Sequence, residues 1–225
     1  QVGIKIQGRA GTSVGCEQIL TVTVGQSHEA SMTLSKNKLS NVEPGSSDTV
    51  SVQITNRGNG METMSIGATG LPPGWQISFS QTSVTIGSSH SGNNKETVTA
   101  EIFVPEDASA AEDTVITFTV GRGGGSTPYD SKDLTVSVAA RHSVTTSVLS
   151  TQQTGKTGQT VQFPIDVTNS GNIQDTFKLL ACDPGDQTGC NSPMWESSFS
   201  DSQGNTITQI VLDPGQMQTV YLDIL

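Results

Sequence analysis

The residues able to do chemistry are few. Cys182 and Cys190 bracket the loop 183–189, whose Pro184-Gly185 pair makes a turn, so a disulfide between them would staple a surface loop. A zinc site is the weaker alternative, because no CxxC pair and no nearby histidine completes four ligands. Cys16 is left over, as a free thiol or as a partner for a cysteine elsewhere. The histidines, His28, His90 and His142, stand in no HExxH or other close ligand spacing, and His28 and His142 read as linker or strand residues. Serine is abundant, yet no GxSxG elbow positions one as a nucleophile. The pairs Glu106-Asp107 and Glu112-Asp113 flank a loop and read as solvated surface rather than as acid/base machinery. Calcium is the one cofactor to carry: Asp183, Asp186 and the run Asp201 to Asn205 offer oxygen ligands, although not at EF-hand spacing, and Asp201 to Asn205 is more simply a hairpin turn. No catalytic residue is assigned, and the chain reads as a non-enzyme.

What must position these residues is a β framework. The 225 residues favour about two modules of ~100 residues each. Hydrophobic residues are 32% and charged residues 14%, too few for a helical bundle, whereas Thr, Val and Ile suit thin sandwich cores. A net charge of −10 leaves no cationic footprint for a phosphate backbone, which argues against nucleic acid as a partner, and an anionic membrane surface would repel the chain. No apolar run approaches the ~20 residues of a spanning helix. Gln1 opens without a charged-then-apolar leader, as expected if a signal segment has been removed or the chain is an excised piece.

The decisive feature is an internal repeat. Leu20-Thr21-Val22-Thr23-Val24 matches Leu134-Thr135-Val136-Ser137-Val138 at an offset of 114, and His28 matches His142 at the same offset. Val2, Ile4 and Ile6 fall on Ile116, Phe118 and Val120. Val50, Val52, Ile54 and Asn56 then match Phe163, Ile165, Val167 and Asn169 at 113, with Gly58-Asn59 on Gly171-Asn172. Trp75 and Phe79 match Trp195 and Phe199 at 120, the extra residues being the cysteine-bracketed loop. Period-two alternation predicts strands near 30–35, 48–56, 61–68, 75–80, 83–86, 96–104, 114–121 and 132–139, with a single helical turn allowed at 108–113. Seven or eight short strands in one repeat predict an all-β chain of tandem immunoglobulin-like β-sandwich modules.

The repeat divides the chain into a hairpin (1–24), a complete sandwich (25–140) and a second sandwich (141–225) that lacks its last two strands, since Thr219 to Leu225 matches Thr97 to Phe103. The hairpin corresponds to the two strands that the second sandwich lacks. Its alternating Val2, Ile4, Ile6, Ile19, Val22 and Val24 are donor residues. Phe163, Ile165, Val167, Val220, Leu222 and Ile224 are the acceptor residues. Three arrangements are open: a window on a longer array of modules, a homo-oligomer or filament in which one copy's hairpin completes another's sandwich, or a hairpin folded back on its own chain.

The motifs Thr55-Asn56-Arg57-Gly58-Asn59, Gly70-Leu71-Pro72-Pro73-Gly74-Trp75 and Val104-Pro105 resemble those of the alpha-galactosidase-associated immunoglobulin-like family and the related cell-adhesion (CARDB-type) repeats. The second module keeps Thr168-Asn169-Ser170-Gly171-Asn172, Pro193-Met194-Trp195 and Asp213-Pro214-Gly215, with the cysteine loop in place of Leu-Pro-Pro-Gly. The resemblance implies an extracellular repeat module of archaeal or bacterial surface proteins, used as spacer, adhesive or assembly unit, and it transfers no catalytic residue. From the residues themselves, Asn-x-Gly-Asn supplies types that tolerate positive φ in a tight strand connection. Trp75 and Trp195 are read as core anchors. The alternative is a sugar-stacking platform, which would make the chain a carbohydrate-binding accessory module with a glycan partner.

Overall fold

The computed structural model describes residues 2–123, 127–182 and 195–225. It is all-β: among the described residues there is no α-helix. Strands β1 (Val2–Ala10) and β2 (Ser13–Val22) form a hairpin that pairs with no other strand among the described residues.

The first module contains β3 (Ala30–Leu34), β4 (Lys38–Val42), β5 (Ser47–Asn56), β6 (Glu62–Thr69), β7 (Gln76–Phe79), β8 (Ser83–Ile86), β9 (Lys95–Phe103), β10 (Thr114–Arg122) and β11 (Asp130–Val138). They make two sheets, ordered β3-β5-β9-β7 and β4-β11-β10-β6-β8. One core lies between them. Alternate residues of β5 and β9 (Val50, Val52, Ile54; Val98, Ala100, Ile102) meet alternate residues of β10 and β11 (Ile116, Phe118, Val120; Leu134, Val136), and all are at most 1% exposed. Period-two alternation gives each strand one apolar face, and burying both faces against each other is what makes the pair of sheets a sandwich.

The second module contains β12 (Val144–Val148), β13 (Val161–Asn169), β14 (Asp175–Lys178), β15 (Ser197–Ser200), β16 (Thr206–Ile207), β17 (Gln209–Leu212) and β18 (Met217–Ile224). Its first sheet, β12-β13-β18-β15-β16, reproduces β3-β5-β9-β7 with one short strand added. The registers agree: Ile165 faces Val220 as Val52 faces Val98. Its second sheet is the pair β14-β17, matching β6-β8, with Phe177 opposite Ile210 as Met64 is opposite Val84. Among the described residues nothing in this module corresponds to β4, β10 or β11. The buried core is correspondingly small: Val167, Ile210, Leu212 and Val220.

Four expectations change. Strand β4 was not predicted, because Asn41 takes a positive φ of 55° and breaks the alternation between Leu39 and Val42. Residues 108–113 are irregular, with a bend at 110–112 and no helical turn. The hairpin register places Ile4 opposite Leu20, as Ile116 lies opposite Leu134, so β1 aligns with β10 two residues from the sequence match; a two-residue slip keeps the same face. Finally, the Asn-x-Gly-Asn turn uses no positive φ at Asn56, Asn59, Asn169 or Asn172. Asn56, fully buried, instead donates from Nδ2 to Gly60 O (2.8 Å) and Ile86 O (3.3 Å), and Asn169 does the same to Ile173 O and Leu212 O (both 2.9 Å). The side chain replaces backbone pairing where the chain crosses between sheets.

Candidate functional site

In the first module β6 lies between β8 and β10, so both of its edges are paired. Among the described residues its counterpart β14 pairs with β17 alone, and no described strand takes the backbone N–H and C=O groups of the other edge. The acceptor residues follow this asymmetry. Val167 and Val220 are buried, but Phe163, Ile165, Leu222 and Ile224 are only half-buried, whereas their counterparts Val50, Val52, Ala100 and Ile102 are at most 1% exposed. Phe163, Ile224 and Leu225, with Val161, Lys156 and Trp195, line an open cleft of about 590 Å³.

The donor hairpin shows the reverse. Ile4 and Ile6 are 51% and 52% exposed and Leu20 and Val22 52% and 49%, while the counterparts on β10 and β11 are sealed. Val2 and Val24 are also exposed. Ile19 requires a correction: it lies opposite Lys5, on the face away from Ile4 and Ile6, and Leu20 takes its place on the core-facing side.

A second arrangement holds each module to what precedes it. Asn172 accepts a hydrogen bond at Oδ1 from Arg141 N (2.7 Å) and donates from Nδ2 to Ala139 O (2.9 Å). Asn59 accepts from Ser27 N (2.8 Å) and donates to Gly25 O (2.9 Å). Beside each bracket stands a histidine–carboxylate pair, His28 with Glu62 (3.0 Å) and His142 with Asp175 (2.8 Å). Burial of Glu62 raises its pKa, but the hydrogen bond from the Tyr129 hydroxyl (2.7 Å) and the neighbouring His28 ring outweigh that and leave it below the ordinary glutamate value. Asp175 is held low chiefly by His142 and by the Thr176 N–H. These pairs were missed from sequence, although the repeat of His28 at His142 was a usable signal.

The remaining predicted residues are dispersed. Trp75 packs, partly buried, against the first core. Trp195 does not anchor a core: it is 67% exposed at the cleft rim. Cys182 is disulfide-bonded, and Cys190, Asp183 and Asp186 lie outside the described residues. Cys16 is a free, exposed thiol. Asp201 accepts hydrogen bonds from the N–H groups of Gln203 and Asn205 (both 2.9 Å) and from the Asn205 amide, which lower its pKa and mark a turn. Among the described residues no cluster of three or more His, Cys, Asp or Glu is arranged to hold a metal ion. Among the described residues no helix is long and apolar enough to cross a membrane.

No protein-family profile matches the chain, and no curated protein matches it. Three solved structures are similar at a TM-score of 0.30, which carries no argument. One is a protein of unknown function from Porphyromonas gingivalis W83 (13% identity; 86% of this chain, 82% of that one). The second is WR4, a C. elegans MSP family member (6%; 48% and 97%). The third is a chaperone–tip adhesin complex of CFA/I fimbriae biogenesis (10%; 84% and 87%).

Proposed function

We propose that the chain is a non-enzymatic structural protein of the cell exterior, built of immunoglobulin-like modules and assembled head to tail. In this reading the β1–β2 hairpin of one copy enters the second module of the next and takes the place that β10 and β11 hold in the first. One observation carries it: among the described residues the second module lacks counterparts of β4, β10 and β11, and the exposed hairpin corresponds to two of these, β10 and β11, by sequence and, with a two-residue shift in β1, by register.

The physical gain is twofold. An antiparallel strand on the free edge of β14 supplies a ladder of backbone hydrogen bonds, and the apolar face of the hairpin covers Phe163, Ile165, Leu222 and Ile224. Burial of apolar surface contributes roughly 25 cal/mol per Å². Because donor and acceptor are different surfaces, the contact is heterologous and propagates instead of closing a dimer. The likeness of Thr55 to Asn59 and Gly70 to Trp75 to adhesion-type surface repeats supports the same setting.

Deleting residues 2–24 should abolish concentration-dependent polymers in sedimentation while the first module stays folded. Polymers that persist after the deletion, or a chain that stays monomeric at all concentrations, would refute assembly; the latter would leave a spacer closed by flanking chain. A sugar-binding role, the second reading, rests on Trp195 at the cleft rim and predicts saturable glycan binding lost in Trp195→Ala.

A further inference from the structure

The end of the first module that receives the hairpin repeats the end of the second module that receives the first. Offset by 114 in the linker and 113 in the turn, Ser27 and Gly25 are bracketed by Asn59 as Arg141 and Ala139 are by Asn172. The close approaches match as well: a Cβ at Gly58 would collide with Ser27 O, and one at Gly171 with Arg141 O. Both linkers therefore leave their module along one path, set by identical bonds.

One difference remains. Asn172 also reaches across the joint, donating from Nδ2 to Ala108 O (3.1 Å) and accepting at its carbonyl from Ala110 N (3.0 Å), while Arg141 Nη2 donates to Pro44 O (3.1 Å). The preceding module thereby covers Asn172, which is 6% exposed, whereas Asn59 is exposed. Pro44 lies in the turn 43–46, closed by Ser46 N to Glu43 O (3.1 Å) with Gly45 at φ 79°. The second module has the same turn at 156–159, closed by Gln159 N to Lys156 O (3.0 Å) with Gly158 at φ 76°. So the turn that the first module lays on the second has a counterpart on the second module, whereas Ala108 and Ala110 have none there among the described residues and Ser27 stands where Arg141 donates.

We infer that the exposed end of the first module around Ser27 and Asn59 is a docking face for the turn 156–159 of a second copy, so that the joint between subunits follows the path of the joint within the chain with the turn in the same place. The inference rests on hairpin exchange: the donor hairpin fixes which copy's module arrives, and the Asn59 bracket fixes its orientation. Successive modules would then be related by one operation throughout the polymer, although every second joint is not covalent.

Paired cysteines test it in a Cys16→Ser background. Lys156→Cys with Ser27→Cys probes the joint between copies, and Glu43→Cys with Arg141→Cys is its counterpart within the chain; all four positions are exposed. With a short bis-maleimide, the first pair should give a ladder of crosslinked oligomers, and the second should close within single chains. Polymers that sediment normally but yield no ladder, under conditions that bridge the second pair, overturn the joint while leaving hairpin exchange intact. A ladder that survives deletion of residues 2–24 overturns it too, because the hairpin would not then be selecting the partner. A chain that forms no polymer overturns both the joint and the exchange beneath it.

Discussion

Phe118 and Ile6 occupy corresponding places in two hairpins, yet the first is fully buried and the second about half exposed. In the first module β10 and β11 have β6 and β4 as neighbours and a facing sheet to cover them; β1 and β2 have only each other. An isolated two-stranded hairpin is marginal in water, and in the proposed assembly its apolar residues would become part of a core. The second module makes the same point from the other side: the strand pattern of β13 and β18 equals that of β5 and β9, and only the covering strands differ. Burial here is decided by neighbours, not by residue type.

The largest test of that contrast is truncation at the two equivalent sites. Phe118→Ala should cost the first module about 3–5 kcal/mol in denaturant unfolding, as deletion of a fully buried aromatic does. Ile6→Ala should leave the monomer within about 0.5 kcal/mol of the parent and instead weaken sedimentation of polymers. A loss of stability for Ile6→Ala in the monomer equal to that for Phe118→Ala would break the comparison, because the hairpin would already be packed.

The joint gives the next effect. Asn172→Ala strands buried backbone groups, among them Ala108 O and Ala139 O, and should cost about 1–3 kcal/mol. Asn59→Ala leaves its linker groups open to water and should cost less than about 1 kcal/mol in the monomer, by thermal unfolding. The difference should narrow in polymers.

Smaller still is the pair of turn glycines. Both have positive φ, so Gly45→Ala and Gly158→Ala each carry a strain of about 1–2 kcal/mol. A Cβ at Gly45 also meets Glu106 Cγ at 2.9 Å, whereas Gly158 opens on free space, so Gly45→Ala should lower the melting temperature of its own module by more than Gly158→Ala lowers that of the second.

The last test is acid. Glu62 and Asp175 have folded pKa values below their ordinary ones, so the stability they contribute is complete above the ordinary carboxylate range and is lost as pH falls through the lowered folded values. Glu62→Gln should flatten the acid side of the first module's stability profile. A profile unchanged by that substitution would mean that the His28–Glu62–Tyr129 contacts do not contribute.

Much of this was legible before any coordinates. The repeat of Asn56 at Asn169 and of Val52 at Ile165 matched strands whose pairing agrees, Ile165 with Val220 as Val52 with Val98, because alternation and turn chemistry are local. Strand β4 was not legible, since Asn41 interrupts its pattern and the strand exists by parallel pairing with β11. The misassigned face of Ile19 has a similar origin: a run in which Ile19, Leu20 and Val22 are all apolar does not say which of the two faces is inward.

The amino-acid order by itself determined the period, the apolar alternation and the absence of a recognisable catalytic motif, all properties of residues close in the chain. The folded arrangement alone decided that Trp195 stands at an open rim, that Asn59 and Asn172 hold linkers, and that His28 and His142 meet carboxylates. Those contacts join residues about thirty or more positions apart, as Asn59 does with Gly25. Which distant groups meet is fixed only when the sheets pack, because packing determines which polar groups lose water and must find one another.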